Sequence, residues 1–172
     1  ITPTYNRAKT LPKVFESLLK QSFKDFIWII LDDGSTDNTT EVVENFQLFN
    51  PFFEIIYKKD KNRHKFLTVL EGVKMVKTPY FMVVDSDDIY PEDALETLIS
   101  EVEKIENQDN YVAVMGLSAD ENGKIVGNQY PNNGFDGSIF EMRYKHKVRG
   151  DKFGIFITKT YQREISGKDF SQ

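Results

Sequence analysis

The sequence predicts an α/β fold in which a mostly parallel sheet is flanked by helices, with antiparallel strands added at one edge beyond residue 117. Three observations carry that reading. Short continuous apolar runs mark strands covered on both faces. Stripes at helical spacing alternate with those runs, as in βαβ units. Polar clusters fall just after successive strands, on the rim where open α/β sheets bind ligands.

The elements follow in order. Ile1-Thr2-Pro3 has no initiator Met and reads as the end of a first strand, so the sequence looks like a fragment or a chain whose first residues are missing. Leu11, Val14, Phe15, Leu18 and Leu19 recur at helical spacing, with Thr10 placed to cap and Pro12 tolerated in the first turn. The run Phe26-Ile27-Trp28-Ile29-Ile30-Leu31 predicts a buried strand. After Gly34, Ser35 or Thr36 is placed to cap a helix carrying Val42, Val43 and Phe46. Phe53 to Tyr57 reads as the next strand, and Phe66, Val69, Leu70, Val73 and Val76 as the next helical stripe. Tyr80 to Val84 is a third buried run, Leu95 to Ile105 a helix, and Tyr111 to Leu117 a strand. Beyond Leu117 the rhythm breaks into turns at Glu121-Asn122-Gly123 and Pro131-Asn132-Asn133-Gly134, then a last strand from Phe153 to Thr158. No repeat or linker interrupts the 172 residues, which read as one domain.

Composition narrows the function. With 22 Lys and Arg against 27 Asp and Glu, the net charge is −5, which argues against a nucleic-acid binder. Zero Cys excludes disulfides, thiolate metal sites and thiol catalysis. No apolar run approaches the roughly 18 residues of a membrane span.

Three polar clusters converge on the predicted rim: Thr4-Tyr5-Asn6-Arg7, Asp32-Asp33-Gly34-Ser35 and Asp85-Ser86-Asp87-Asp88. The last crowds carboxylates that repel one another unless a cation relieves them, and hard oxygen ligands suit Mg²⁺ or Mn²⁺. The alternative is an acidic loop at the start of the helix near Glu92. An EF-hand is excluded because Tyr90 stands where that loop needs Gly. Asp32 suits the turn, and Asp33 is placed to face a ligand. Tyr5 offers a stacking face and Arg7 a phosphate-directed cation. Arg63-His64-Lys65 precedes a helix where its charges can meet a diphosphate, or solvent. Lys145-His146-Lys147-Val148-Arg149 with Lys152 is the most basic stretch, and reads as a solvated loop or a contact for an anionic acceptor or lipid surface.

At these residues the chain resembles a family 2 glycosyltransferase of the GT-A fold. Pro3-Thr4-Tyr5-Asn6-Arg7, then Leu31-Asp32-Asp33-Gly34-Ser35-Thr36-Asp37, then Tyr80 to Val84 leading into Asp85-Ser86-Asp87-Asp88 match that family's signatures in order and spacing. The likeness covers residues 1 to 117, implying a nucleotide-sugar-binding half, with 118 to 172 a partial acceptor-side half.

The resemblance implies inverting transfer of a sugar from a nucleotide-diphospho-sugar, UDP being the commonest carrier, to an acceptor hydroxyl of a glycan or glycolipid. It implies that Tyr5 lines the base pocket and Asp33 accepts from the base, with Pro3, Thr4 and Arg7 nearby. Asp85-Ser86-Asp87 corresponds to the family's DxD motif, with Asp87 holding a divalent cation, Mn²⁺ or Mg²⁺, and Asp85 near the ribose or the metal's waters. The general base is carried onto Asp169, with Glu164 and Asp151 as weaker candidates. Synthesis of polysaccharide or cell-surface glycan at the cytoplasmic side follows, with peripheral membrane association and no nucleic-acid partner. The family's Asn-x-Gly loop is replaced by Asn62-Arg63-His64-Lys65, and its later Ala-x-Asn by Thr68-Val69-Leu70. The alternatives are a non-catalytic or truncated nucleotide-sugar- or glycan-binding domain and a metal-dependent phosphatase. A phosphatase leaves the Tyr5 and Asp33 clusters unexplained.

Overall fold

A computed structural model describes residues 1–131 and 134–168. Parallel strands β1 (Thr2–Thr4), β2 (Ile27–Asp32) and β3 (Glu54–Lys59) lie side by side in the order β1-β2-β3. A second set, β4 (Tyr80–Met82), β5 (Ala113–Leu117) and β6 (Lys152–Ile157), has the order β4-β6-β5, with β6 antiparallel to β4. Two hydrogen bonds join the sets: Ile1 N donates to Met82 O at 2.8 Å, and Val84 N to Ile1 O at 2.9 Å. The antiparallel strand expected after residue 117 is thus β6, seated between β4 and β5.

The helices are α1 (Leu11–Lys20), α2 (Thr39–Phe49), α3 (Lys65–Met75), α4 (Ala94–Glu103) and α5 (Thr158–Ile165). Strand alternation sends neighbouring residues of β2 to opposite faces. On one face buried Trp28 meets Phe15 of α1 and Phe46 of α2, the Phe15 and Phe46 rings stacking with centroids 4.2 Å apart. Its indole N–H is satisfied by Thr2 Oγ1 at 2.8 Å. On the other face Ile29 and Leu31 pack with Ile1, Val73, Val76 and Phe81. There α3 lies so close that a Cβ on Gly72 would come within 2.6 Å of Ile1 Cγ2 and 2.8 Å of Leu31 Cδ1.

Two local expectations change. Helix α2 starts at Thr39 with Asn38 at its N-cap, so neither Ser35 nor Thr36 caps it. Both are drawn elsewhere: Asn6 N donates to Ser35 Oγ at 2.8 Å, and Thr36 N donates to Asn6 Oδ1 at 2.8 Å. The run Tyr80 to Val84 is strand only to Met82.

The chain divides into two compact units, residues 1–114 with the chain from Ile155 onward, and residues 115–154. The second contains the bridge Ala119–Ile125 around the turn at Gly123 and a short π-helix, Glu141–Lys145. Among the described residues no helix is long and apolar enough to cross a membrane.

Candidate active site

Three strands of the first unit end at one rim. Beyond them lies a cleft of about 420 Å³ lined by Pro3, Thr4, Tyr5, Arg7, Asp33, Asn62, His64, Lys65, Asp85, Ser86 and Asp87. All eight cleft residues expected from the sequence are among these, brought together from positions more than 80 residues apart.

The loops after β1 and β2 are knitted to each other. Asn6, at φ 54, takes the left-handed conformation that Asn tolerates better than most residues. Its side-chain oxygen accepts from Thr36 N at 2.8 Å and Asp37 N at 3.3 Å. Arg7 N donates to Thr39 Oγ1 at 3.0 Å, and Ala8 N to Asp37 Oδ2 at 3.1 Å. Asp32, buried, accepts from Ser35 N at 2.6 Å and from the Tyr57 hydroxyl at 2.5 Å, which makes it the turn-former of the Asp pair. Burial, reinforced by that hydrogen bond, pushes the Tyr57 phenol up, so it stays a donor.

Asp33 faces the cleft and ties in the β3–α3 loop by accepting from Arg63 N at 2.7 Å. Gly34, at φ 88, allows that loop to pass: a Cβ there would lie 3.1 Å from Asn62 N. The next bend is at His64, whose φ of 72 is one glycine adopts without steric cost. His64 therefore holds, at a cost, the backbone expected where the related Asn-x-Gly loop has glycine. The Asp60 carboxyl before it is held below its usual range, first by the Lys61 N–H and then by the Arg63 guanidinium.

The acidic loop is tied differently. Asp85 pairs with Lys65 Nζ at 2.7 Å, and Asp87 with Arg7 Nη2 at 3.7 Å, both carboxylates being substantially exposed (39% and 53%). Between them Ser86 Oγ accepts from Arg7 Nε at 3.2 Å. From the rear, buried Gln21 accepts from Leu95 N at 3.0 Å and donates to Pro91 O at 2.6 Å, fixing where α4 begins. Burial, then the charges of Asp88 and Asp85, push the Tyr90 phenol up.

Among the described residues no three His, Cys, Asp or Glu side chains are grouped to hold a metal by themselves. Asp85 and Asp87 remain as two hard carboxylates on one exposed loop. That is the donor set Mg²⁺ or Mn²⁺ accepts when phosphates and water complete the shell, so the residues fit such an ion. Thr4 lines the cleft, and its buried Oγ1 has no hydrogen-bond partner among the described residues.

A family model described as Glycosyl transferase family 2 matches residues 1–167. The chain belongs to that family. It is 27% identical over 177 aligned residues to the GalNAc(5)-diNAcBac-PP-undecaprenol beta-1,3-glucosyltransferase of Campylobacter jejuni, covering 99% of this chain and 54% of that protein. S. aureus TarS, solved in complex with UDP, superposes with a TM-score of 0.63 at 21% identity, over 95% of this chain and 47% of that one. The mannosyltransferase PcManGT of Pyrobaculum calidifontis, solved with GDP-Man and Mn²⁺, gives 0.65 at 16% identity, over 98% and 46%. These neighbours establish the GT-A-type fold, and the chain spans about half the length of the C. jejuni protein, of PcManGT and of residues 1–349 of TarS, and 29% of the longer TarS chain.

Of the remaining sequence candidates, Asp169 lies outside the described residues. Glu164 sits on α5 beside Arg163 Nε at 3.4 Å and does not line the cleft, and Asp151 belongs to the second unit. The structure adds Asn62 to the cleft lining and Asn6 to its support, and the sequence signal for Asn6 is its place inside the Pro3–Arg7 motif. For Gln21 the sequence offers none.

Proposed function

We propose that this chain carries the nucleotide-sugar site of an inverting glycosyltransferase that moves a sugar from a UDP-sugar to an acceptor hydroxyl in polysaccharide or cell-surface glycan synthesis. The observation that supports this most is the convergence of Tyr5, Asp33 and Asp85-Ser86-Asp87 on one cleft at the strand ends. The C. jejuni relative is named for a glucosyl transfer, and TarS was solved with UDP, in keeping with that donor class.

In this reading Tyr5 stacks on the base, its ring about half exposed (47%) at the cleft mouth. Asp33, already oriented by its bond from Arg63 N, accepts from a base N–H. Arg7 and Lys65 stand where a diphosphate would lie, and a phosphate there competes for the cations now on Asp87 and Asp85. A divalent ion on Asp87 and Asp85 would supply neutralisation of the charge that develops on the departing diphosphate. Asp169 would take the acceptor's proton, opposite the leaving group. Residues 1–117 would serve the donor and 118–172 part of the acceptor side.

The test is calorimetric titration of UDP, GDP and dTDP into the chain with Mn²⁺, then with EDTA. The expected outcome is UDP binding that disappears with the metal. Absence of binding by all three nucleotides under both conditions would overturn the proposal, and a preference for GDP or dTDP would correct the donor.

A further inference from the structure

The second unit carries a feature that the cleft does not use. Its short helix Glu141–Lys145 has two unlike sides. Met142 is buried, and Val148 N donates to Met142 O at 3.0 Å, folding the following turn back against it with Val148 also buried. Ile139, Phe140 and Tyr144 face outward, 72%, 67% and 68% exposed. The Phe140 and Tyr144 rings lie against each other, centroids 4.6 Å apart, and so form one apolar surface.

The charge beside that surface is mostly positive. Residues 139–152 hold five Lys and Arg against Glu141 and Asp151, in a chain whose net charge is −5. Arg143 and Lys152 turn toward carbonyls, donating to Val148 O at 3.4 Å and Arg149 O at 3.0 Å. Lys145, Lys147 and Arg149 stay exposed, and among the described residues their ion pairing is a long 3.9 Å contact from Lys145 to Glu141. A second exposed apolar group, Leu48, Phe49 and Phe52, is flanked in sequence by Glu44 and Glu54 and has no comparable run of cations.

We propose that Ile139, Phe140 and Tyr144, with Lys145, Lys147 and Arg149, form a docking surface for an anionic lipid bilayer. Aromatic rings gain by entering the boundary between headgroups and acyl chains, where the Tyr hydroxyl stays wet. Basic side chains next to them gain from the negative surface, on the order of fivefold in partitioning for each Lys or Arg. The chain's overall negative charge opposes this little, because charges beyond about 8–10 Å are screened at physiological salt. Nucleic acid would match the cations but not the Ile139 and Phe140 surface. The inference stands apart from the nucleotide site.

The experiment is flotation of the chain with vesicles of phosphatidylcholine alone and of phosphatidylcholine with phosphatidylglycerol, at low and raised salt. Binding is expected to the anionic vesicles only and to weaken with salt. The double change Lys145→Glu, Lys147→Glu is expected to lower partitioning by about tenfold or more, and Phe140→Ala with Tyr144→Ala to do so comparably, each with an unchanged melting temperature. Leu48→Ala with Phe49→Ala serves as the control and should bind as the parent does. No binding to anionic vesicles, binding that survives the charge reversal, or loss in the control instead would each overturn the proposal. Concentration-dependent self-association that depends on Phe140 and Tyr144 without vesicle binding would overturn it too, in favour of a protein partner.

Discussion

Two walls of the cleft are built by different means. The wall made by the loops after β1 and β2 is held by part-buried and exposed hydrogen bonds that run between the loops, each fixing a backbone N–H, from Asn6, Arg7 and Ala8 to Ser35, Thr39 and Asp37 and from Thr36 back to Asn6. The wall made by Asp85-Ser86-Asp87 faces the cleft through ion pairs to Lys65 and Arg7 between exposed side chains. Several such bonds together hold the backbone of both loops in one arrangement, whereas ion pairs between exposed side chains contribute little and exchange easily. The difference separates a preformed wall, suited to a rigid planar base, from an exchangeable one, suited to a charged group that arrives with its own counter-ion.

The sharpest break is Asp87→Asn. It should lower metal-dependent nucleotide affinity by about a hundredfold or more, a loss of roughly 3 kcal/mol, while the melting temperature stays within a degree or two. Calorimetry with and without Mn²⁺ reads the first, a thermal melt the second, and an equal loss in EDTA would place Asp87 in the wrong wall.

Asn6→Ala attacks the preformed wall. It removes the acceptor for two exposed N–H groups and leaves Ala at a left-handed φ, so stability should fall by about 1 kcal/mol in urea denaturation. Nucleotide affinity should drop with its metal dependence intact.

His64→Gly works in the opposite direction. It relieves the backbone at φ 72, and a gain on the order of 1 kcal/mol is expected, offset in part by the freedom glycine gains in the unfolded chain. A destabilised variant would show that the imidazole contributes more than its backbone costs.

Lys65→Met tests exchangeability. With the competing ammonium gone from Asp85, Mn²⁺ alone should bind about threefold tighter, measured by electron paramagnetic resonance without nucleotide. Weaker or equal binding would mean that the pair does not compete with the ion.

The smallest effect is with pH. The Asp60 carboxyl is depressed in the fold, so its contribution is present above its ordinary value of 3.8 and is lost as pH falls through the lower folded value. Asp60→Asn should flatten that acid limb slightly, and no change between the two melting curves below pH 4 would remove Asp60 from the loop's support.

Much of the first unit was legible because local pattern and tertiary role agree there. The run at 26–31 is apolar on both faces because Trp28 meets one layer of helices and Leu31 the other, so the strand had to be central. The carboxylates after it and after Val84 were legible because chain direction in a parallel sheet sends strand ends to one rim. The start of α2 was not. Ser35 and Thr36 are ordinary capping residues, and only their contacts with Asn6, thirty residues away, draw them off, leaving α2 to start after Asn38, whose side chain makes no cap hydrogen bond. Residues 115–154 showed little beyond turns, since short irregular elements leave no period to read.

The sequence alone determined the order of strands and helices, the three clusters and their family, because periodicity and motif spacing are properties of the chain itself. Only the tertiary structure decided that β6 enters between β4 and β5, that α2 begins after Asn38 and not at Ser35 or Thr36, and that Lys65 and Arg7 partner the acidic loop. Those outcomes depend on which groups meet across 20 to 80 residues of chain. That meeting is set by the packing of two helix layers on one sheet, which no local pattern encodes.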